Sequence, residues 1–155
     1  MFKIKKPGLA FVFVCMALVF SVVALALFLS TYAVGGYSLS RWALTCSVFS
    51  IWFLLLLAVN MLFRGDKPVW TGIIYAIVVF LLVYGLVTFL QPCLVPIGFA
   101  FFSSDLNMGD TALNKIVANR SVATAAFYVL ATVFTVVTAF MSADKSFGKQ
   151  KESAE

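Results

Sequence analysis

Long apolar stretches, rather than a regular alternation of apolar and polar positions, dominate the chain. Four of them reach the length of about 20 residues that a helix needs to cross the hydrocarbon core of a bilayer. These stretches lie at about 9–29, 42–63, 69–90 and 122–141. The pattern therefore predicts an all-α integral membrane protein, a bundle of four transmembrane helices.

The connection between the second and third spans, residues 64–68, is too short to be more than a tight turn. It makes these two spans an antiparallel hairpin. Pro68 fits the first turn of the third span, where its missing N–H costs nothing. The first connection carries Gly35 and Gly36, a flexible turn signal.

The third connection, 91–120, is long and is the most individual part of the chain. Pro92 and Pro96 stand four residues apart near its start, and this pair predicts a break in regular helix. An apolar run follows, with three phenylalanines as candidate interaction residues: Phe99, Phe101 and Phe102. Exposed apolar patches often mark binding surfaces, so this run is either a partner surface or a lid over the outer end of the bundle.

The end of this connection carries a helix start signal. Asp110 is suited to cap a short helix that begins at Thr111. We expect that helix to carry Lys115 and Arg120 and to continue into the fourth span.

Composition excludes several classes of protein. The chain has 155 residues, of which 63% are hydrophobic and 11% charged. Soluble domains are typically about 45–50% apolar and about 25% charged. This balance excludes a soluble domain, a disordered chain and a nucleic-acid-binding protein, and it predicts the lipid bilayer as the main partner.

The basic residues predict the orientation. With the amino terminus in the cytoplasm, eight of the eleven Lys and Arg residues lie on the cytoplasmic side and three, Arg41, Lys115 and Arg120, lie outside. Cytoplasmic segments carry such an excess. We therefore predict a multi-pass protein of the plasma membrane with both termini in the cytoplasm, a basic tail at 1–8 and a disordered tail at 142–155.

The first span also resembles a secretory signal peptide, with a basic start and small residues near its end. Its apolar stretch of about 21 residues exceeds the usual 7–15 of a signal peptide. A retained signal-anchor helix is therefore the favoured interpretation.

The fourth span carries a polar stripe. Five of its hydroxyl side chains fall within an arc of about 120° when the helix is viewed down its axis: Thr124, Tyr128, Thr132, Thr135 and Thr138. This stripe is either a packing face whose hydroxyls bond their own helix carbonyls or the lining of a substrate path.

Two further groups, in the spans or just beyond their ends, are singled out. Asn60, the most polar, is expected to bond a neighbouring helix or, as an alternative, a ligand, because an unpaired amide is costly in hydrocarbon. Cys46 and Cys93 both fall on the outer side of the predicted topology. A disulfide between them is an alternative to two free thiols.

Catalytic chemistry has little support in the sequence. The chain contains no histidine, and none of its six acidic residues falls inside a predicted span. Ion-coupled transporters usually keep an ionisable group within the membrane. We therefore predict no enzymatic activity, no cofactor and no metal.

The predicted function is that of an accessory, scaffold or assembly subunit that binds other membrane proteins or itself. The alternative is a small-solute transporter or channel formed by oligomerisation.

Overall fold

The structure is a computed structural model that describes residues 8–34, 41–63, 68–102 and 111–152. It contains four helices in this part of the chain: α1 (Leu9–Ala33), α2 (Arg41–Phe63), α3 (Pro68–Phe102) and α4 (Thr111–Glu152). All four are long and apolar enough to cross a membrane. The predicted all-helical architecture with four candidate spans is therefore confirmed.

The helices form a closed square in which each packs against two neighbours. α1 packs on α2 and α4, and α3 packs on α2 and α4. The pairs α1/α3 and α2/α4 lie on the diagonals of the square. α4 makes the most extensive contacts, whereas α2 is held more loosely at one corner.

Ring and side-chain contacts show the directions of the helices. Along α1 and α4, Phe13 lies against Phe134, whereas Phe20 lies against Phe127 as well as Phe134. As residue numbers rise along α1, the numbers of the facing α4 residues fall, so the two helices are antiparallel. Such up-and-down bundles are the usual result of short connections.

The inner faces follow the small-residue rule for membrane helices. Ala17, Ser21 and Ala24 of α1 are all buried, and Phe28 continues the same buried face toward the carboxyl end of the helix. Small side chains let helix backbones approach closely, which is how helices associate without a hydrophobic driving force in lipid.

On α3 the same rule predicts the wrong face. Gly72 and Ala76 have the spacing of a packing pair, yet both are exposed, and a Cβ added at Gly72 would meet nothing within 4 Å. The close approach occurs instead at Gly85, where an added Cβ would lie 3.4 Å from the Cβ of Cys46 on α2.

The prediction that Pro92 and Pro96 break the helix is wrong, because both lie inside α3. Each proline removes only one backbone hydrogen bond. Packing holds the helix in place, since Phe89, Cys93 and Pro96 are buried.

The predicted outer loop 91–120 is therefore much shorter than expected. α3 continues to Phe102, and α4 begins at Thr111, the start that the sequence indicated. The capping residue proposed for this start, Asp110, lies outside the described residues.

At its other end, α4 also extends beyond the prediction. Its backbone is helical as far as Glu152, where the sequence predicted a disordered tail from residue 142.

Candidate functional site

A polar contact at the centre of the bundle joins two helices that are not neighbours. Tyr128 of α4 reaches across the square, and its hydroxyl forms a hydrogen bond with the hydroxyl of Ser47 on α2. Ser47 also donates to the Ala43 carbonyl at 2.7 Å. Both side chains are almost completely buried. Since one of these hydroxyls accepts while the other donates, the two polar groups satisfy each other inside the bundle.

The space around the Tyr128 ring is filled on several sides. Gly85 of α3 leaves room for the ring edge, because a Cβ added there would lie 3.8 Å from Tyr128 Cε1. The ring of Phe89 lies 6.4 Å from that of Tyr128, measured between centroids. Gly85 therefore lies directly beside the ring of Tyr128 where it crosses from α4 to α2, with room for no more than a methyl group.

The four threonines of the α4 stripe bond within their own helix. The hydroxyls of Thr124, Thr132, Thr135 and Thr138 each donate to the carbonyl four residues earlier, at 2.7–2.8 Å. Thr132 is half-buried and the other three are buried. This bonding pattern is typical of hydroxyls on packed faces of membrane helices.

A second contact crosses the other diagonal. Phe28 of α1 and Phe89 of α3 lie with ring centroids 5.3 Å apart, and they form one apolar cluster with Ala43 and Cys93. Because Phe89 also contacts Tyr128, the two diagonals meet at nearly the same depth. Aromatic side chains thus close the centre of the bundle at that level.

Arg120 joins α4 to the end of α1. Its guanidinium donates a hydrogen bond of 2.9 Å to the Ser30 carbonyl, one of the last four carbonyls of α1, which have no partner within the helix. A cation at a helix carboxyl end also interacts favourably with the helix dipole. Arg120 therefore caps α1 and fixes its end against α4.

We expect Arg120→Met to lower the free energy of unfolding by about 1.5–3 kcal/mol, the contribution of one hydrogen bond to a charged group. Lys115→Met is the matched control, because Lys115 is exposed on the same helix. Unfolding by sodium dodecyl sulfate from a mild detergent measures both variants. Equal losses would show that Arg120 does not act as a cap.

The cysteines are free thiols. Cys46 faces Gly85 across the α2/α3 contact, and Cys93 lies eight residues beyond Gly85, about 12 Å along the helix. Disulfide-bonded cysteines have Cα atoms at most about 7 Å apart. In this register Cys46 and Cys93 are too far apart to form the disulfide considered from the sequence. Cys93 instead lies beside the Ser121 side chain of α4, whose hydroxyl donates to the Val117 carbonyl at 2.7 Å.

The remaining sequence-predicted site residues lie outside the central cluster. Asn60 is half-buried near the carboxyl end of α2, and its amide makes no hydrogen bond to another helix within the described ranges. Phe99 and Phe101 are exposed near the end of α3 rather than in a loop. Phe102 ends α3, and its side chain is not among those described.

The end of α3 extends past the neighbouring helix α2. Since Gly85 faces Cys46, Leu90 lies level with Arg41, where α2 begins. The remaining segment 91–102 therefore projects by about 18 Å. Its exposed side chains are apolar: Leu94, Val95, Phe99 and Phe101. The aromatic run thus lies on a helical projection at this end of the bundle.

Sequence reasoning missed the serines of α2 that complete the central cluster. Ser47 and Ser50 are both buried. Together with Ala43 and Cys46 they place small residues on one face of α2, and this spacing is the signal that could have found them. Ser21 of α1 is also buried, and its hydroxyl makes no hydrogen bond within the described part of the chain.

Comparison with protein families, with curated proteins and with solved structures finds no significant match. Among the residues that the structure describes, no three His, Cys, Asp or Glu side chains form a group able to hold a metal ion.

Proposed function

We propose that the chain is a non-catalytic accessory or assembly subunit of a membrane complex. Its folded bundle would serve as a scaffold, and its outer helix faces would bind other membrane proteins. The observation that carries this proposal is the closed centre of the bundle, where the Ser47–Tyr128 and Phe28–Phe89 contacts cross.

The proposal includes an orientation. Both termini would lie in the cytoplasm and the projecting end of α3 outside, because eight of the eleven basic residues then lie on the cytoplasmic side. The plasma membrane is the proposed location. In this orientation the apolar projection 91–102 would bind partners at the outer surface. The sequence predicted a loop for this role, and in our proposal the end of helix α3 takes it.

A transporter or channel remains the alternative, and the threonine stripe is its support. A substrate path along α4 would need hydroxyls free to contact the solute. The hydroxyls of Thr132 and Thr135 instead donate to the carbonyls of Tyr128 and Ala131. This bonding favours the packing role, so a pore would have to form between several copies of the chain.

Thr132→Val and Thr135→Val test the stripe directly. Valine keeps the shape and removes a hydroxyl whose bond partner lies in the same helix, so we expect each variant to lose less than about 1 kcal/mol of stability. Assembly with partners should be unchanged. If the stripe lines a path, the double variant abolishes flux instead.

Reconstitution of the purified chain into liposomes tests the proposed function. We expect no flux of ions or small solutes above that of protein-free liposomes, and no turnover of lipid substrates. A robust flux that disappears in the Thr132→Val, Thr135→Val double variant would replace the subunit proposal by the channel alternative.

A further inference from the structure

The outward face of α2 carries a line of six exposed residues spaced three and four positions apart, which places them on one side of the helix. We call this set the α2 seam: Trp42, Thr45, Phe49, Trp52, Leu56 and Val59. The set falls within an arc of about 100° around the helix. The opposite face of α2, which includes Ala43, Ser50, Leu54 and Leu57, is buried against the bundle.

Trp52 distinguishes this seam from an ordinary lipid-facing surface. It lies eleven residues from Arg41, about 17 Å along α2, and a hydrocarbon core of about 30 Å places it near mid-bilayer. Its side chain is 62% exposed. The other two tryptophans, Trp42 and Trp70, lie at span ends, where interfacial tryptophans are usually found.

The indole N–H of Trp52 makes no hydrogen bond within the described part of the chain. Lipid tails contain no acceptor, and an unsatisfied polar group in hydrocarbon is costly. Trp52 is therefore an unpaired donor at the centre of an exposed helix face.

We infer that the α2 seam docks a transmembrane helix of a different membrane protein, and that this helix presents a hydrogen-bond acceptor to Trp52. The acceptor is a Ser, Thr, Asn or Gln side chain near the middle of the partner helix. This inference rests on the proposed function, because it names the surface by which the subunit joins its complex.

A second copy of the chain fits this surface less well. In a parallel pair of seams the two Trp52 side chains would meet donor to donor. The one hydroxyl of the seam, that of Thr45, lies seven residues away, about 10 Å along the helix. An antiparallel pair would give the two copies opposite orientations, contrary to the bias of the basic residues.

Site-specific photocrosslinking in native membranes tests the inference. Benzoylphenylalanine replaces Phe49 in one variant and Leu56 in another, and the exposed Phe80 of α3 and Phe140 of α4 in two control variants. We expect one adduct of defined mass at the two seam positions and none at the controls. Mass spectrometry of the adduct should identify a membrane-spanning peptide with a polar residue near its middle.

Removal of the donor gives the second readout. In the Phe49 crosslinking variant, Trp52→Phe keeps the aromatic ring but loses the N–H. It should lower the adduct yield about three- to tenfold, the effect of one interhelical hydrogen bond in a membrane. Trp42→Phe, at the end of the same seam, should leave the yield unchanged.

Adducts with a second copy, with lipid alone, or in equal yield at Phe80 would overturn the inference, as would a Trp52→Phe variant with unchanged yield. If a stoichiometric partner co-purifies but crosslinks elsewhere, the inference fails and the proposed function stands. If no other protein co-purifies, both fail.

Discussion

Gly85→Leu should unfold or expand the bundle. A Cβ at this position would already lie 3.4 Å from Cys46 Cβ, 3.8 Å from Tyr128 Cε1 and 4.0 Å from the Ala43 carbonyl oxygen. The three further carbons of leucine have no free space unless α2 or Tyr128 moves. Overpacking typically costs about 1–3 kcal/mol. We expect a loss at the upper end of that range or beyond, measured by unfolding with sodium dodecyl sulfate from a mild detergent.

The same helix supplies the controls. Gly72→Leu introduces the same side chain where nothing lies within 4 Å, so its stability should match that of the native chain. Gly85→Ala places its Cβ in ordinary van der Waals contact with Cys46 and should also be tolerated. If Gly85→Leu were as stable as Gly72→Leu, the close contact of α2 with α3 at Gly85 would be wrong.

Tyr128→Ala should cause the other large loss of stability. The ring fills the space between Gly85, Phe89 and Ser47, and the side chain is only 1% exposed. Removing a large buried aromatic side chain leaves a cavity whose lining loses its dispersion contacts. Substitutions of this kind cost about 3–5 kcal/mol in soluble proteins. We expect about 3 kcal/mol here, since lipid removes part of the transfer contribution.

Two further tyrosine variants separate packing from hydrogen bonding. Tyr84→Ala removes an exposed tyrosine of α3 and should cost much less than Tyr128→Ala. Tyr128→Phe removes only the hydroxyl. In a double-mutant cycle with Ser47→Ala we expect a coupling of about 0.6–1.7 kcal/mol, and a coupling of zero would argue against the Ser47–Tyr128 bond.

The four spans could be predicted from the sequence because apolar length alone determines them. The carboxyl end of α3 could not. Prolines inside a helix, such as Pro92 and Pro96, usually break it in soluble proteins, where water satisfies the released backbone groups. Here the helix persists through them, because one side of the segment packs against the bundle and buries Cys93 and Pro96. The prediction considered each proline alone and did not include this packing.

The candidate site was only partly predictable for a different reason. Periodicity identified the polar stripe of α4, since all of its residues lie on one helix. The partner of Tyr128 depends on which helix stands opposite, and a sequence read one helix at a time does not specify that arrangement. Gly72 and Gly85 illustrate the same limit, because spacing favours Gly72 whereas the helix contact lies at Gly85.

Native mass spectrometry of the chain extracted in a mild detergent from its own membranes tests the proposed role most directly. We expect a complex in which this chain is bound to a different membrane protein at fixed stoichiometry. A homogeneous oligomer of this chain alone, with flux after reconstitution, would contradict the subunit role and establish the channel alternative.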